Sequence, residues 1–254
     1  MDTVLRRWPL GALAVFLFMA PSAWGVPAFV QYASAGNGGS GNAAVAFSAS
    51  NITTNDLIVV HCLWGNTTQT LSSVTDTAGN TYTLIANSSV TESTNMRTQS
   101  AYAIITAGSG TKPTITCTRS STSNAAWIEV AEYSGTATSG VLDQSAGTSG
   151  TSATPTSPSV TTTASGELIV GLFTQDGGAG ETWTGGSGYT LRSPSTGSNE
   201  RALEDQVQST AGSISANATM SSSQSWTAVI ITFKASGGAP PCANSIALLG
   251  AGCR

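Results

Sequence analysis

Charge is scarce in this chain. Asp, Glu, Lys and Arg make up 9% of its 254 residues, against about 25% in ordinary globular proteins. The basic residues beyond the first ten (Arg97, Lys112, Arg119, Arg192, Arg201, Lys234 and Arg254) are scattered and form no stripe. Nucleic acid and anionic membrane surfaces are bound through clustered Lys and Arg, so both are excluded as partners. Histidine is almost missing: His61 is the only one. It adjoins Cys62 in a run of strand character, and neighbouring strand side chains point to opposite faces, so it is not placed to activate that thiol. No G-x-S-x-G elbow accompanies the many serines. The four cysteines lack C-x-x-C spacing, which argues against structural zinc. Helical periodicity longer than a turn or two is absent after residue 25.

Ser, Thr, Gly and Asn fill the polar positions instead. Thr suits a pleated surface and the others suit turns, so the bias points to sheets joined by many loops. Runs such as Asp56-Leu57-Ile58-Val59-Val60 and Trp226 to Phe233 can build a core, which separates the chain from disordered sequences. At the start, Arg6 and Arg7 precede an apolar stretch from Leu10 to Ala20, and Ala23 and Gly25 suit cleavage before Val26. Residues 1–25 are therefore expected to be a signal peptide, since the apolar run is too short to span a bilayer. Of nine basic and thirteen acidic residues, cleavage would remove Arg6, Arg7 and Asp2, leaving seven and twelve, a net charge of −5. The expected location is extracellular, or the bacterial periplasm and cell surface, without membrane insertion.

The chain is written twice. Asp56-Leu57-Ile58-Val59 recurs as Glu167-Leu168-Ile169-Val170, and Gly79-Asn80-Thr81-Tyr82-Thr83-Leu84 as Gly186-Ser187-Gly188-Tyr189-Thr190-Leu191. Thr106-Ala107-Gly108-Ser109 returns as Thr210-Ala211-Gly212-Ser213, and Trp127 is aligned with Trp226. The offset falls from 113 (Val30 to Asp143) to 99 (Trp127 to Trp226), as happens when loops shorten and strands do not. Many short strands in each copy predict an all-β fold of two tandem, repeat-related antiparallel β-sandwiches. One larger intertwined, jelly-roll-like sandwich is the alternative. The expected organisation is repeat 1 over 26–135, a Gly/Ser/Thr/Pro-rich connection over 136–158 that includes the entry of repeat 2, and the main body of repeat 2 over 159–236. Residues 237–254 form a linker and a Cys-closed tail.

Cys62 and Cys117 align with Phe173 and Ala218, a large and a small residue that could face each other in a core. A disulfide Cys62–Cys117 is expected in an oxidising compartment, which leaves Cys242 to pair with Cys253. Among carboxylates, Glu129 and Glu132 are expected on opposite sheet faces, Glu132 leans inward towards turn backbone, and Glu204 and Asp205 diverge. No pair is set for acid–base work, and we read the chain as non-catalytic. Loop oxygens suggest calcium as the one conceivable cofactor, at Asp76 with Asn80 or at Asp176 with Glu181. Tyr82 and Tyr189 occur in both copies and read as packing. Trp64 and Trp183 have no aromatic counterparts and border the loops 65–70 and 177–180, so they are the candidate ligand-binding aromatics at a loop rim. Asn51, Asn66, Asn87 and Asn217 lie in N-x-S/T contexts.

The pieces Ser73-Val74-Thr75-Asp76-Thr77-Ala78-Gly79-Asn80-Thr81-Tyr82 and Glu132-Tyr133-Ser134-Gly135, with Glu204 through Val207 to Trp226 and Lys234, resemble an uncharacterised module of large secreted bacterial proteins. There it sits beside Ig-like and fibronectin-like domains. The resemblance covers residues 28–235 and implies an extracellular β-sandwich without catalytic residues. Two functions follow as expectations. One is a secreted binding and adhesion module for carbohydrate or a cell-surface polymer, through Trp64 and Trp183. The other is a structural subunit of a fibre, surface layer or virion appendage, assembling through sheet edges and the tail.

Overall fold

The structure is a computed structural model that describes residues 25–92, 95–176, 180–193 and 201–237. The signal segment, apart from its last residue, and the Cys242–Cys253 pairing lie outside the described residues. Repeat 1 contains β1 (Ala28–Asn37), β2 (Ala43–Ala46), β3 (Leu57–Trp64), β4 (Leu71–Asp76), β5 (Thr83–Leu84), β6 (Val90–Thr91), β7 (Arg97–Ile104), β8 (Thr114–Arg119) and β9 (Ala126–Ser134). Repeat 2 contains β10 (Leu142–Ser152), β11 (Val160–Thr161), β12 (Glu167–Gln175), β13 (Trp183–Gly185), β14 (Thr190–Leu191), β15 (Arg201–Gln208), β16 (Ser213–Ile214), β17 (Ala218–Met220) and β18 (Gln224–Phe233). One short 3-10 turn, Ala86–Ser88, is the helical content among them.

The two repeats share one topology. The large antiparallel sheet runs β1-β9-β3-β7-β5 in repeat 1, with β6 also on β7, and β10-β18-β12-β15-β14 in repeat 2. Each is backed by smaller strands, β2-β8-β4 in the first copy and the pairs β11-β16 and β13-β17 in the second. The fold is therefore all-β and antiparallel, two sandwiches in tandem. Among the described residues no strand of one repeat enters a sheet of the other.

Leu-Ile-Val-Val-His-Cys-Leu-Trp of β3 and Glu-Leu-Ile-Val-Gly-Leu-Phe-Thr-Gln of β12 are buried at every position. An uninterrupted apolar run with little alternation is what a strand covered on both faces requires. Ile58, Val60, Cys62 and Trp64 point into the sandwich core of repeat 1 with Phe47, Ile115 and Val130. Ile169 and Phe173 point into the core of repeat 2 with Trp183, Met220 and Trp226. The alternate residues, Leu57 and Val59 with Leu168, Val170 and Leu172, share a third core in which the large sheets face each other, with Tyr133, Val229, Ile231 and Phe233. The molecule is thus a stack of four layers with its largest sheets inside.

Strand register fixes which residues correspond. Leu57 lies between Tyr133 and Ile104, and Leu168 between Phe233 and Val207. Thr83 faces Tyr102 as Thr190 faces Asp205, so Tyr82 and Tyr189 are equivalent. The alignment of Trp127 with Trp226 is corrected by one residue. Trp64 pairs with Ala126 and Gln175 with Trp226, so Ala126 is the counterpart of Trp226 and Thr227 that of Trp127. A slip of one residue moves a side chain to the other sheet face. Trp226 fills the core of repeat 2, whereas Trp127 leans to the opposite face. Each ring covers a cross-strand glycine, Gly150 and Gly36 respectively; a Cβ there would meet the ring at 2.6 and 2.2 Å. The register places Glu132 opposite Ile58 and level with Thr232 of repeat 2.

Cys62 of β3 and Cys117 of β8 form a disulfide with Cα atoms 6.1 Å apart. It ties the two layers of repeat 1 together, and in repeat 2 Phe173 and Ala218 occupy one core cluster instead. Such cross-links persist in oxidising compartments, and no helix among the described residues is long and apolar enough to cross a membrane. The bridge closes a loop over a sequence separation of 55, so Cys62→Ala with Cys117→Ala should lower unfolding stability by about 4 kcal/mol on the chain-entropy model. Denaturant titration of the variant under oxidising conditions measures it; an unchanged midpoint would show that the layers hold without the bond.

Candidate functional site

The residues singled out from sequence do not come together. Trp64 is 0% and Trp183 2% exposed, so neither stands at a rim. β3 keeps its register through Trp64, which is paired with Ala126 and Arg97, and the alternation that buries Ile58, Val60 and Cys62 carries Trp64 inward too. Trp183 sits in β13, its ring 6.2 Å from that of Phe173. Both are core side chains with no face open to a ligand. Among the described residues the exposed large hydrophobics are Val26, Val30 and Val207, so no aromatic platform replaces them.

Asp76 closes a turn. Its Oδ1 accepts the backbone N–H groups of Ala78, Gly79 and Asn80 at 2.9, 2.7 and 3.1 Å. Its Oδ2 accepts the Asn80 amide at 2.8 Å and the Tyr82 hydroxyl at 3.0 Å. Asn80 Oδ1 in turn accepts from the N–H groups of Thr106 and Ala107. A calcium ion would have to displace this whole set, so the pair is a turn lock. Asp176 and Glu181 do not converge either. Asp176 accepts from Asn95 of repeat 1 at 2.8 Å, while Glu181 accepts from Ser221, Ser222 and Gln224. Those donors hold the Glu181 carboxyl down to a pKa of about 2. No group of three or more His, Cys, Asp or Glu among the described residues is placed to hold a metal ion.

The polar chemistry that does assemble lies at the seam between the large sheets. Across β1, β9, β3 and β7, Ser34, Glu129, His61 and Ser100 stand opposite one another in one row. His61 Nδ1 lies 2.9 Å from Ser100 Oγ, and Tyr32 donates to Glu129 at 2.9 Å. A serine, a histidine and a carboxylate in a row suggest a hydrolytic triad, yet Ser100, His61 and Glu129 are each 0% exposed, and no substrate reaches them. Burial, aided by the charge of Arg201 from repeat 2, pushes His61 down to about 3. Burial lifts Glu129 to about 7, against the opposing pull of Arg201 and of the Tyr32 hydroxyl. His61 Nε2 and Glu129 Oε1 have no hydrogen-bond partner among the described residues. This row was invisible in the sequence, where its members are separated by tens of residues and only register joins them.

A second polar group sits further along the seam. Tyr133 donates to Asp205 at 2.9 Å. Arg192 grips Asp205 through Nε at 2.8 Å and Nη2 at 2.9 Å while its guanidinium lies 4.2 Å over the Phe29 ring. The counterparts of Tyr133 and Asp205 are Phe233 and Tyr102, and these also meet, edge to face at 5.7 Å. The stack thus carries an approximate twofold relation, polar on one side and aromatic on the other. A cleft accompanies each side: about 440 Å³ between the start of β1 and β14–β15, and about 290 Å³ between the start of β10 and β5–β7. Glu204 and Asp205 point to opposite faces, as adjacent strand residues must. Glu204 fills the space left by Gly171, where a Cβ would meet its Cγ at 2.9 Å. Glu132 accepts the N–H of Thr53 at 2.9 Å, the turn-backbone bond its inward position suggested.

Comparison with protein-family models, with curated proteins and with solved structures finds no match to this chain.

The buried acids set a pH dependence. Burial raises Asp56, Glu129 and Glu204 to about 7. An acid raised on folding contributes stability that is full below its unfolded value, near 4, and lost as pH climbs through 7. His61, lowered on folding, contributes stability present above 6.5 and lost as pH falls towards 3. Three carboxyl groups outnumber one imidazole between roughly pH 4.5 and 6.5, so thermal stability should peak near pH 4.5 and fall towards pH 8. Glu129→Gln should remove about 1.4 kcal/mol per pH unit from that descending limb. Melting curves from pH 3 to 8 on both proteins test this; a maximum above pH 7 would contradict it.

Proposed function

We propose that this chain is an exported, non-catalytic structural module that assembles edge to edge into an extracellular fibre, surface layer or virion appendage. The observation that carries the proposal is a pair of long, unguarded edge strands. β1 and β10 pair on one side only, with β9 and β18. β1 holds no charged residue, β10 holds only Asp143, and neither contains proline. Natural sheets usually blunt such edges with Lys, Pro or bulges. Here the bulges fall at the starts, between Phe29 and Gln31 and between Leu142 and Ser145. Tyr32–Asn37 and Ala146–Ser152 then continue in regular register.

The two edges lie on opposite sides of the stack. β10 packs near β6 and the 3-10 turn of repeat 1, while the start of β1 lies by β14 and β15 of repeat 2. A contact from β1 of one copy to β10 of the next is therefore heterologous, and it propagates instead of closing. The low charge that sets this sequence apart also removes the repulsion that keeps β-proteins apart.

Carbohydrate or surface-polymer binding is the second reading. With both tryptophans in the core, it rests on the polar end of repeat 1, where Asn66, Gln69, Ser123 and Asn124 cluster around Arg119. Amides and hydroxyls in such a cluster can exchange bonds with sugar hydroxyls.

Sedimentation and light scattering of residues 26–254 should show oligomers that grow with concentration. Ser149→Lys with Thr151→Lys, at two exposed β10 positions, should return the protein to a monomer. A strict monomer at high concentration in the parent would end the assembly proposal. Saturable retention on insoluble polysaccharide by that monomer, abolished by Asn66→Ala with Asn124→Ala, would instead support the second reading; no retention would remove it.

A further inference from the structure

Every residue that lines the 290 Å³ cleft between β5, β7 and the start of β10 is uncharged. Ile104 and Val141 are its apolar part, the first packed against the third core and the second within it. Thr81 and Thr83 come from β5 and the turn before it, Thr138 and Ser139 from the segment that joins the repeats, and all four are exposed. None of these four hydroxyls has a hydrogen-bond partner among the described residues.

Tyr102 stands apart from the other tyrosines. Of the five in the chain, four donate their hydroxyls to protein: Tyr32 to Glu129, Tyr82 to Asp76, Tyr133 to Asp205 and Tyr189 to the Ser215 carbonyl. Tyr102 lines the cleft, half-buried, its ring edge to face on Phe233, and its hydroxyl has no partner among the described residues. A largely covered phenol normally finds one. The walls around it are held in place. Ala137 donates its N–H to the Lys234 carbonyl and Lys234 donates to the Val141 carbonyl, both at 2.8 Å, so Thr138 to Gly140 form a loop pinned at both ends. Thr83 is fixed by pairing with Tyr102. Groups positioned before a ligand arrives lose little entropy on binding it.

This lining selects a chemistry. A hydroxyl both donates and accepts, so the matching ligand is itself rich in hydroxyls. Without a charged side chain the cleft offers no strong partner to a carboxylate, phosphate or ammonium group, while Ile104 and Val141 require an aliphatic face. A neutral sugar ring has C–H groups on its faces and hydroxyls round its edge. A volume of about 290 Å³, at the lower end for ligand pockets, suits one such ring. The twofold-related cleft does not meet these terms, since Asp205 stands in place of Tyr102 and is gripped by Arg192.

We propose that the cleft lined by Tyr102 is a binding subsite for one neutral sugar residue, which bonds the hydroxyls of Tyr102, Thr83 and Thr138 and lays a C–H face on Ile104 and Val141. The subsite lies at the Ile104 end of β7, whereas the Arg119 cluster meets β7 at Arg97. It depends neither on that cluster nor on assembly through β1 and β10.

Saturation-transfer NMR on residues 26–254, which reads binding to monomers and oligomers alike, tests it with the methyl glycosides of glucose, galactose, mannose and N-acetylglucosamine. At least one should bind with a Kd in the low millimolar range, as about twelve heavy atoms allow. Tyr102→Phe, and separately Thr83→Val with Thr138→Val, should each weaken that binding by about fivefold or more. Both variants keep side-chain shape, and an unchanged melting midpoint verifies that they fold. Absence of transfer to all four glycosides overturns the proposal, as does binding that both variants leave intact. Binding lost in Asn66→Ala with Asn124→Ala but kept in these variants also overturns it, by assigning the sugar to the Arg119 cluster.

Discussion

Face-to-face burial of the two large sheets is the constraint on which the other features depend. An antiparallel sheet can leave one face in water, and a β-sandwich repeat on its own would do so. Here Leu57, Val59 and Tyr133 of one copy and Leu168, Val170, Val229 and Phe233 of the other close a third core. Burial of apolar surface at roughly 25 cal/mol per Å² makes such a face far more favourable covered than exposed. The small sheets are pushed to the outside of the stack, the central strands lose their polar alternation, and the edges of the large sheets become the surfaces that remain.

The same arrangement explains why ionisable groups accumulate where no chemistry can use them. His61, Glu129, Tyr32 and Arg201 meet at the seam because two sheets bring their inner faces together, and burial shifts His61 and Glu129 in the directions that favour their neutral forms. Perturbed pKa values in a cleft would suggest catalysis. In a dry seam they are a source of pH-dependent stability, and groups such as the Asp205–Arg192–Tyr133 cluster fix how one repeat sits on the other. Hydrogen-bonded polar groups of this kind specify one arrangement where apolar side chains alone would tolerate several.

The approximate twofold relation gives the molecule two versions of each surface, and the differences between them are informative. The Asp205–Tyr133 contact is polar where Tyr102–Phe233 is aromatic, and the cleft lined by Arg192 and Asp205 on one side answers to one lined by Tyr102 and Ile104 on the other. A repeat within one chain keeps its topology while each copy is free to diverge, and here the copies differ at the seam and its clefts. The edge strands have not diverged in this respect: β1 and β10 are both long, nearly uncharged and bulged at the start.

The all-β class, the repeat, and the Cys62–Cys117 partnership could be read from the chain, because strand periodicity, turn chemistry and ordered matches are local or one-dimensional properties. Placement of the tryptophans could not. Trp64 borders a loop in sequence, but whether its ring faces core or solvent depends on register, and a single residue of shift reverses the answer, as it did for Trp127 and Trp226. The Ser34–Glu129–His61–Ser100 row was hidden more deeply, since it requires four strands in register, and the charge of Arg201 reaches it only because a second repeat lies across them. What the sequence determined is that these residues make two sandwiches; the tertiary structure decided that the sandwiches bury each other's largest faces, because only the packed molecule sets which side of each strand meets apolar surface and which meets water.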